Sequence, residues 1–166
     1  APIQIFQLPV ANFTAPPVCL GTATTFNNTS TGTPNAWSWD FGDATPADIT
    51  QSPTHTYAAD NSYSVNLSVT TANGCIHDTT KTVVVNPIPV AAFTANDTCM
   101  GFATQLIDNS TVAITAVVNA WAWDFDNNGT GDNGTQNPSF IFPLAGNTSV
   151  SLTVTSTGGC TNTVTQ

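Results

Sequence analysis

The chain has 166 residues, ten of them Asp and none Glu, with one Lys (Lys81), no Arg and a net charge of -9. Phosphate neutralisation needs clusters of Lys or Arg, which argues against nucleic acid as a partner and against anionic membrane surfaces. No stretch approaches the ~20 consecutive apolar residues that cross a bilayer, so no membrane insertion is expected.

Thr and Val are abundant where Glu, Lys and Arg are scarce, a balance that favours half-buried strands over helices and predicts an all-β protein. Alternating apolar runs bounded by Gly, Pro, Asn and Asp predict strands at 10–15, 22–28, 36–41, 55–57, 62–71 and 79–86. A second series follows at 90–95, 103–108, 120–126, 139–142 and 148–156. The two series are one pattern written twice. Ala36-Trp37-Ser38-Trp39-Asp40-Phe41 returns as Ala120-Trp121-Ala122-Trp123-Asp124-Phe125, and Cys19-Leu20-Gly21 as Cys99-Met100-Gly101. A period of two places Trp37, Trp39 and Phe41 on one strand face, and Trp121, Trp123 and Phe125 on another, as the aromatic centres of two cores.

Each unit is near the lower size for a free-standing domain, so cross-links would help it. The economical pairing of the matched cysteines is Cys19 with Cys75 and Cys99 with Cys160, in an oxidising compartment. The first of these loops would contribute roughly 4 kcal/mol in the chain-entropy description.

Trp37-Ser38-Trp39-Asp40-Phe41-Gly42-Asp43, then Ser52-Pro53-Thr54-His55-Thr56-Tyr57, then Tyr63-Ser64-Val65-Asn66-Leu67, resembles the WxWDFGD, NPxHxY and YxVxLxV signature of the polycystic kidney disease (PKD) domain. The second unit keeps the Trp-rich run but has Asp126-Asn127 for Gly-Asp and Asn137-Pro138-Ser139-Phe140-Ile141-Phe142 for the His-Tyr segment. The resemblance implies two tandem immunoglobulin-like β-sandwiches of an extracellular or cell-surface protein, at 9–87 and 88–166. It says little about activity, because that family serves many hosts.

The ends add a further expectation. Residues 2–9 line up with residues 82–89, the last strand of the first unit and its exit, whereas after Cys160 the second unit has only residues 161–166. The second unit is therefore expected to lack its own last strand. Residues 1–8 are expected to be the last strand of a preceding or neighbouring unit. Either the chain is a window on a longer tandem array, or Pro2, Ile3, Ile5, Phe6 and Leu8 form a donor strand for another copy.

Asp124, Asp126, Asn128 and Asp132 follow the start of a calcium loop, with Gly129 at the bend, but Thr135 stands where the closing Glu belongs. A polar turn is the favoured reading, and no cofactor is required. His55 and His77 have no nucleophile motif beside them, so no catalytic residues are expected. Among the N-x-[ST] sequons, Asn28 and Asn109 are the candidate glycosylation sites. The expected role is structural: a repeat of an extracellular filament or giant surface adhesin, with copies of itself or adjacent repeats as partners and a surface glycan or protein as a further ligand. The alternative is a non-catalytic, substrate- or carbohydrate-binding accessory region of a secreted hydrolase.

Overall fold

The structure, a computed structural model, describes residues 2–166; Ala1, the first residue of the expected strand segment 1–8, lies outside the described residues. Two units follow one another, the first ending at Asn86 and the second beginning at Pro87. The strands of the first are β1 (Phe13–Thr14), β2 (Val18–Cys19), β3 (Thr24–Thr25), β4 (Asn27–Asn28), β5 (Pro34–Asp40), β6 (Thr54–His55), β7 (Asn61–Thr71) and β8 (Ile76–Asn86). Those of the second are β9 (Phe93–Ala95), β10 (Thr104–Asp108), β11 (Val118–Asp124), β12 (Ser139–Phe140), β13 (Ser151–Ser156) and β14 (Thr161–Thr165). No helix of the described residues is long and apolar enough to cross a membrane.

In the first unit the alternation of Tyr63, Val65, Leu67 and Val69 on β7 points one apolar face inward and makes β7 the centre of a sheet ordered β2-β8-β7-β5. Short pairs β1–β4 and β3–β6 form the opposing layer. Phe13 and Phe26 of that layer meet the fully buried Trp39, with ring centroids 5.1 and 5.5 Å away. The predicted strand 22–28 divides because the chain changes partner within it: Thr24 and Thr25 pair with β6, whereas Asn27 and Asn28 pair with β1. Phe26, between them, is fully buried and donates its N–H to the Pro53 carbonyl.

The second unit repeats the design, with β11-β13-β14 as one sheet and β12-β10-β9 as the other. Trp123 is fully buried against Phe93 at 5.1 Å. Two expectations change here. β2, absent from the predicted strands, adds to β8 in parallel through Val18–Val85 and Cys19–Asn86. The last strand expected to be missing from the second unit is present in shortened form, because residues 161–165 pair with β13 as the first half of β8 pairs with β7.

Candidate functional site

The two units differ most at the edge where that last strand runs. In the first unit the β7–β8 ladder extends from Thr70–Ile76 to Asn61–Val85, and Val83 and Val85 are buried in the core. In the second unit the ladder ends at Val150, which exchanges backbone hydrogen bonds with Gln166 at 2.9 and 3.0 Å. Beyond it lies a groove of about 570 Å³. Phe93, Leu106 and Val150 form part of its apolar lining, Met100 and Phe102 line its rim, and Thr148 carries the edge onward. Met100 and Phe102 are 68% and 70% exposed, although Leu20, the counterpart of Met100, packs on the core of its unit. Sequence reasoning did not single out these lining residues; the signal was an apolar pair, Met100 and Phe102, at positions that solvent reaches.

Residues 2–8, the expected donor strand, are exposed and form no strand with their own unit; Ile3 and Ile5 are each 90% exposed. Superposed by repeat, Ile3 and Ile5 correspond to the buried Val83 and Val85, and Gln4 to the partly exposed Val84. Pro9, like its counterpart Pro89, is buried.

The within-unit cysteine pairings are not formed. Cys75 and Cys99 are free thiols, whereas Cys19 and Cys160 are each disulfide-bonded. Cys19 pairs in register with Asn86 at one end of β8, and Cys75 immediately precedes the other end. At ~3.3 Å per residue the strand separates them by roughly 35 Å, far beyond the ~4.4–6.8 Å Cα separation of a disulfide. The same opposition holds in the second unit, where Cys160 precedes β14 and Cys99 lines the groove with Gln166, just past the other end of β14.

The acidic loop after Trp123 does bring Asp124, Asp126 and Asp132 together, with carboxylate oxygens within 4.8 Å of one another. Those oxygens accept hydrogen bonds from the loop itself. The Asp124 carboxylate takes the N–H groups of Gly129 at 2.7 Å and Asn128 at 3.1 Å, and Asp132 takes that of Phe125 at 2.8 Å. Burial alone would push the Asp124 carboxyl up, but these backbone donors hold it below the usual carboxylate range. Asn128 donates its N–H and side-chain amide to Asp126 and accepts the Thr130 N–H, so all four expected residues serve the turn.

His55 stacks on Phe41, with centroids 4.1 Å apart and planes 5° from parallel, and its Nε2 lies 2.7 Å from Asp43 Oδ2. In the second unit Phe140 makes the equivalent stack on Phe125 at 4.3 Å. A position that serves equally as His or Phe is a packing position. His77 Nδ1 accepts the Ala11 N–H, and the corresponding Asn162 Oδ1 accepts that of Ala91, each at 3.1 Å. Of the sequon candidates, Asn109 is exposed with its amide on Thr94 Oγ1, and Asn28 is half-buried with its Oδ1 accepting the Ser30 N–H.

A family model described as PKD domain matches residues 7–86 and again residues 84–166. A microbial collagenase of Vibrio alginolyticus is 37% identical over 73 residues, which are 42% of this chain and 9% of the collagenase. The chain thus corresponds to under a tenth of that relative's length. Among solved structures, the PKD1 domain of Vibrio anguillarum Epp is 30% identical, covering 49% of this chain and 96% of that one with a TM-score of 0.45. The fibronectin(III)-like modules of Clostridium thermocellum CbhA are 12% identical, covering 94% and 91%, with a TM-score of 0.52, a likeness of fold alone.

Proposed function

Since the chain belongs to the PKD-domain family, as two members in tandem, we propose that it is a structural repeat unit of an extracellular filament or surface adhesin, joined end to end by strand donation. The observation that supports this is an open groove beside the edge of the second unit, together with an exposed segment, residues 2–8, whose sequence lines up with the last strand of the first unit. Ile3 and Ile5 of one copy take the places that Val83 and Val85 hold in the first unit, antiparallel to the edge at Thr148 and parallel to residues 98–99. Full burial of two isoleucines is worth about 1.5–3 kcal/mol each, and the unpaired backbone of the edge gains hydrogen bonds. The donor segment and the groove are different surfaces, so the contact is heterologous, and a heterologous contact that does not close on itself propagates as a filament.

Removing residues 2–8 tests the assignment. The full chain is expected to form linear polymers by electron microscopy and sedimentation, and the shortened chain to remain monomeric; polymers from the shortened chain would refute strand donation.

A second reading rests on the collagenase match: an accessory region that presents a substrate to a secreted hydrolase. Such a role calls for exposed aromatics; Trp39 and Trp123 are fully buried and Trp37 and Trp121 pack on the cores, which leaves Phe6 and Phe102 as the exposed rings. Retention of the chain on fibrillar collagen or insoluble polysaccharide, measured by pull-down, would favour it over the filament.

A further inference from the structure

The loop after each Trp-rich strand ends in one small arrangement, written with different residues in the two units. In the first, Asp48 bridges Trp39 through the backbone, and its Oδ1 accepts the N–H and the hydroxyl of Thr50, each at 2.7 Å. In the second, Asn133 bridges Trp123, and its Oδ1 accepts the N–H of Thr135 at 2.8 Å and its hydroxyl at 2.7 Å. The threonine carbonyl then takes the indole N–H, Thr50 from Trp39 and Thr135 from Trp123, each at 2.9 Å. The residue in between differs as well: an exposed Ile49 in the first unit, an exposed Gly134 in the second.

Asn133-Gly134 is one of three Asn-Gly pairs, with Asn73-Gly74 and Asn128-Gly129. Such a pair loses ammonia without an enzyme when the glycine nitrogen reaches the asparagine side-chain carbonyl carbon, because glycine puts no Cβ in the way and restricts the backbone least. The fold treats the three pairs unequally. The N–H of Gly74 is held by the Thr71 carbonyl at 2.9 Å. That of Gly129 is held by the Asp124 carboxylate at 2.7 Å, and the Asn128 side-chain amide donates to Asp126 at 2.9 Å, so both the attacking and the departing nitrogen are tied. Among the described residues, neither the Gly134 N–H nor the Asn133 side-chain nitrogen has a hydrogen-bond partner. The Asn133 amide is engaged only through its oxygen, by the two Thr135 donors. That oxygen is where negative charge develops when a nucleophile adds to the carbonyl carbon, so the donors favour the addition.

We propose that Asn133 is a site of spontaneous deamidation, converted by attack of the Gly134 nitrogen into the acidic residue type that the first unit carries as Asp48. The Gly134 nitrogen gives its proton to water and bonds to the side-chain carbonyl carbon of Asn133. The bond from that carbon to the side-chain nitrogen then breaks, and the nitrogen takes a proton from water and leaves as ammonia, which closes a succinimide ring. Water opens the ring, so amide and water become a carboxyl group and ammonia, with no oxidant or reductant. Opening at the side-chain carbonyl gives Asp and restores the backbone. Opening at the main-chain carbonyl gives the isoaspartyl isomer, whose lengthened main chain does not keep the bridge to Trp123. The Asp product meets a prepared site, because the equivalent pair of threonine donors holds the Asp48 carboxyl below the usual carboxylate range. Conversion places a new negative charge next to Asp132, in the second unit.

The test is to age the full folded chain in mildly alkaline buffer, withdraw samples over weeks and map them by mass spectrometry after peptic digestion at low pH, which suppresses the reaction during work-up. Asn133 is expected to convert first, read as the Asn-to-Asp mass difference, while Asn73 and Asn128 stay intact. In a parallel sample unfolded in urea the three pairs are expected to convert at comparable rates. Gly134→Ile copies Ile49 of the first unit, and a Cβ at that position meets nothing nearer than the Trp121 carbonyl oxygen at 3.5 Å, so the fold and melting temperatures are expected to hold. Its branched side chain crowds the attacking nitrogen and is expected to abolish conversion at Asn133 over the same period. An Asn133 that stays intact while Asn73 or Asn128 converts overturns the proposal, and so do three pairs that convert together in the folded chain as they do in urea. The ratio of folded to unfolded rates in the parent chain decides this without relying on any variant.

Discussion

His77 and Asn162 do one job with different chemistry: each accepts the N–H of the alanine where the chain enters its unit. Truncation of His77 to Ala leaves that N–H without an acceptor and is expected to cost about 1–2 kcal/mol in urea unfolding, while His77→Asn recovers most of it. Lys81 and Gln166 form a second such pair, reaching the carbonyls of Phe13 and Phe93. Trp37 and Trp121 break the symmetry. Trp121 Nε1 donates to Asp108 Oδ2 at 2.7 Å, whereas Trp37 Nε1 is buried without a partner, and Asn28 stands where Asp108 would be. Asn28→Asp, which keeps the acceptor for the Ser30 N–H and adds one for the indole, is expected to raise stability by about 1 kcal/mol. Acid sensitivity is settled at this scale as well. Burial pushes the carboxyls of Asp43 and Asp108 up, but hydrogen bonds from Thr45 and His55, and from Ser110, Trp121 and Gln136, bring them below the usual value. Thr50 hydrogen bonds lower Asp48 in the same direction. A carboxyl whose folded pKa lies below its unfolded pKa of about 3.9 contributes stability that is present above the unfolded value and lost as pH falls through the folded one. Melting temperature is accordingly expected to hold from neutrality to about pH 4.5 and to fall steeply below about pH 4.

Turns and strand ends decide how the elements join. Gly42 closes the turn after β5 at φ +75°, and a Cβ there would lie 2.5 Å from the Ser64 carbonyl oxygen, part of the backbone of β7. Gly42→Ala combines a left-handed backbone with that clash and is expected to destabilise by about 2–4 kcal/mol, read as a lower melting temperature. The second unit dispenses with the glycine by building its turn from Asp124, Asn127 at φ 54° and Asn128, which explains why the motif departs after Phe125. The aromatic alternation on β5 and β11 and the long β7 were legible in the sequence, because a period of two sustained over many residues has one physical reading. β2 was not: two residues, Val18 and Cys19, gain strand character only from the end of β8 beside them. The cysteine partners were illegible for the same reason. Duplication marks which cysteines are equivalent, but only the length and register of β8 place Cys19 and Cys75 at its opposite ends. The groove was not legible: the match of residues 2–9 to residues 82–89 raised the expectation of a strand, residues 2–8 form none within their own unit, and the Met100 and Phe102 rim emerged only from the packing.

The unequal edges have a consequence for the molecule as a whole. The first unit holds a last strand paired with β7 along nearly its full length and a core that includes Val83 and Val85. The second holds β14 alone, paired with β13 only from Ser151 to Thr155, and leaves Met100 and Phe102 largely in solvent. Because stability follows buried apolar area, the second unit is the weaker of the two when no strand fills its groove. Thermal unfolding of the monomer is therefore expected to show two transitions, the lower belonging to the second unit, rather than one two-state step. Under strand donation a peptide of residues 1–9 is expected to bind the folded groove alone, and so to raise the lower transition with the logarithm of its concentration and leave the upper one in place. Differential scanning calorimetry with and without the peptide reads both. A peptide carrying Asp at positions 3 and 5 puts charges where the core expects Val83 and Val85, and should move neither transition. In the assembled state the lower transition should merge with the upper one.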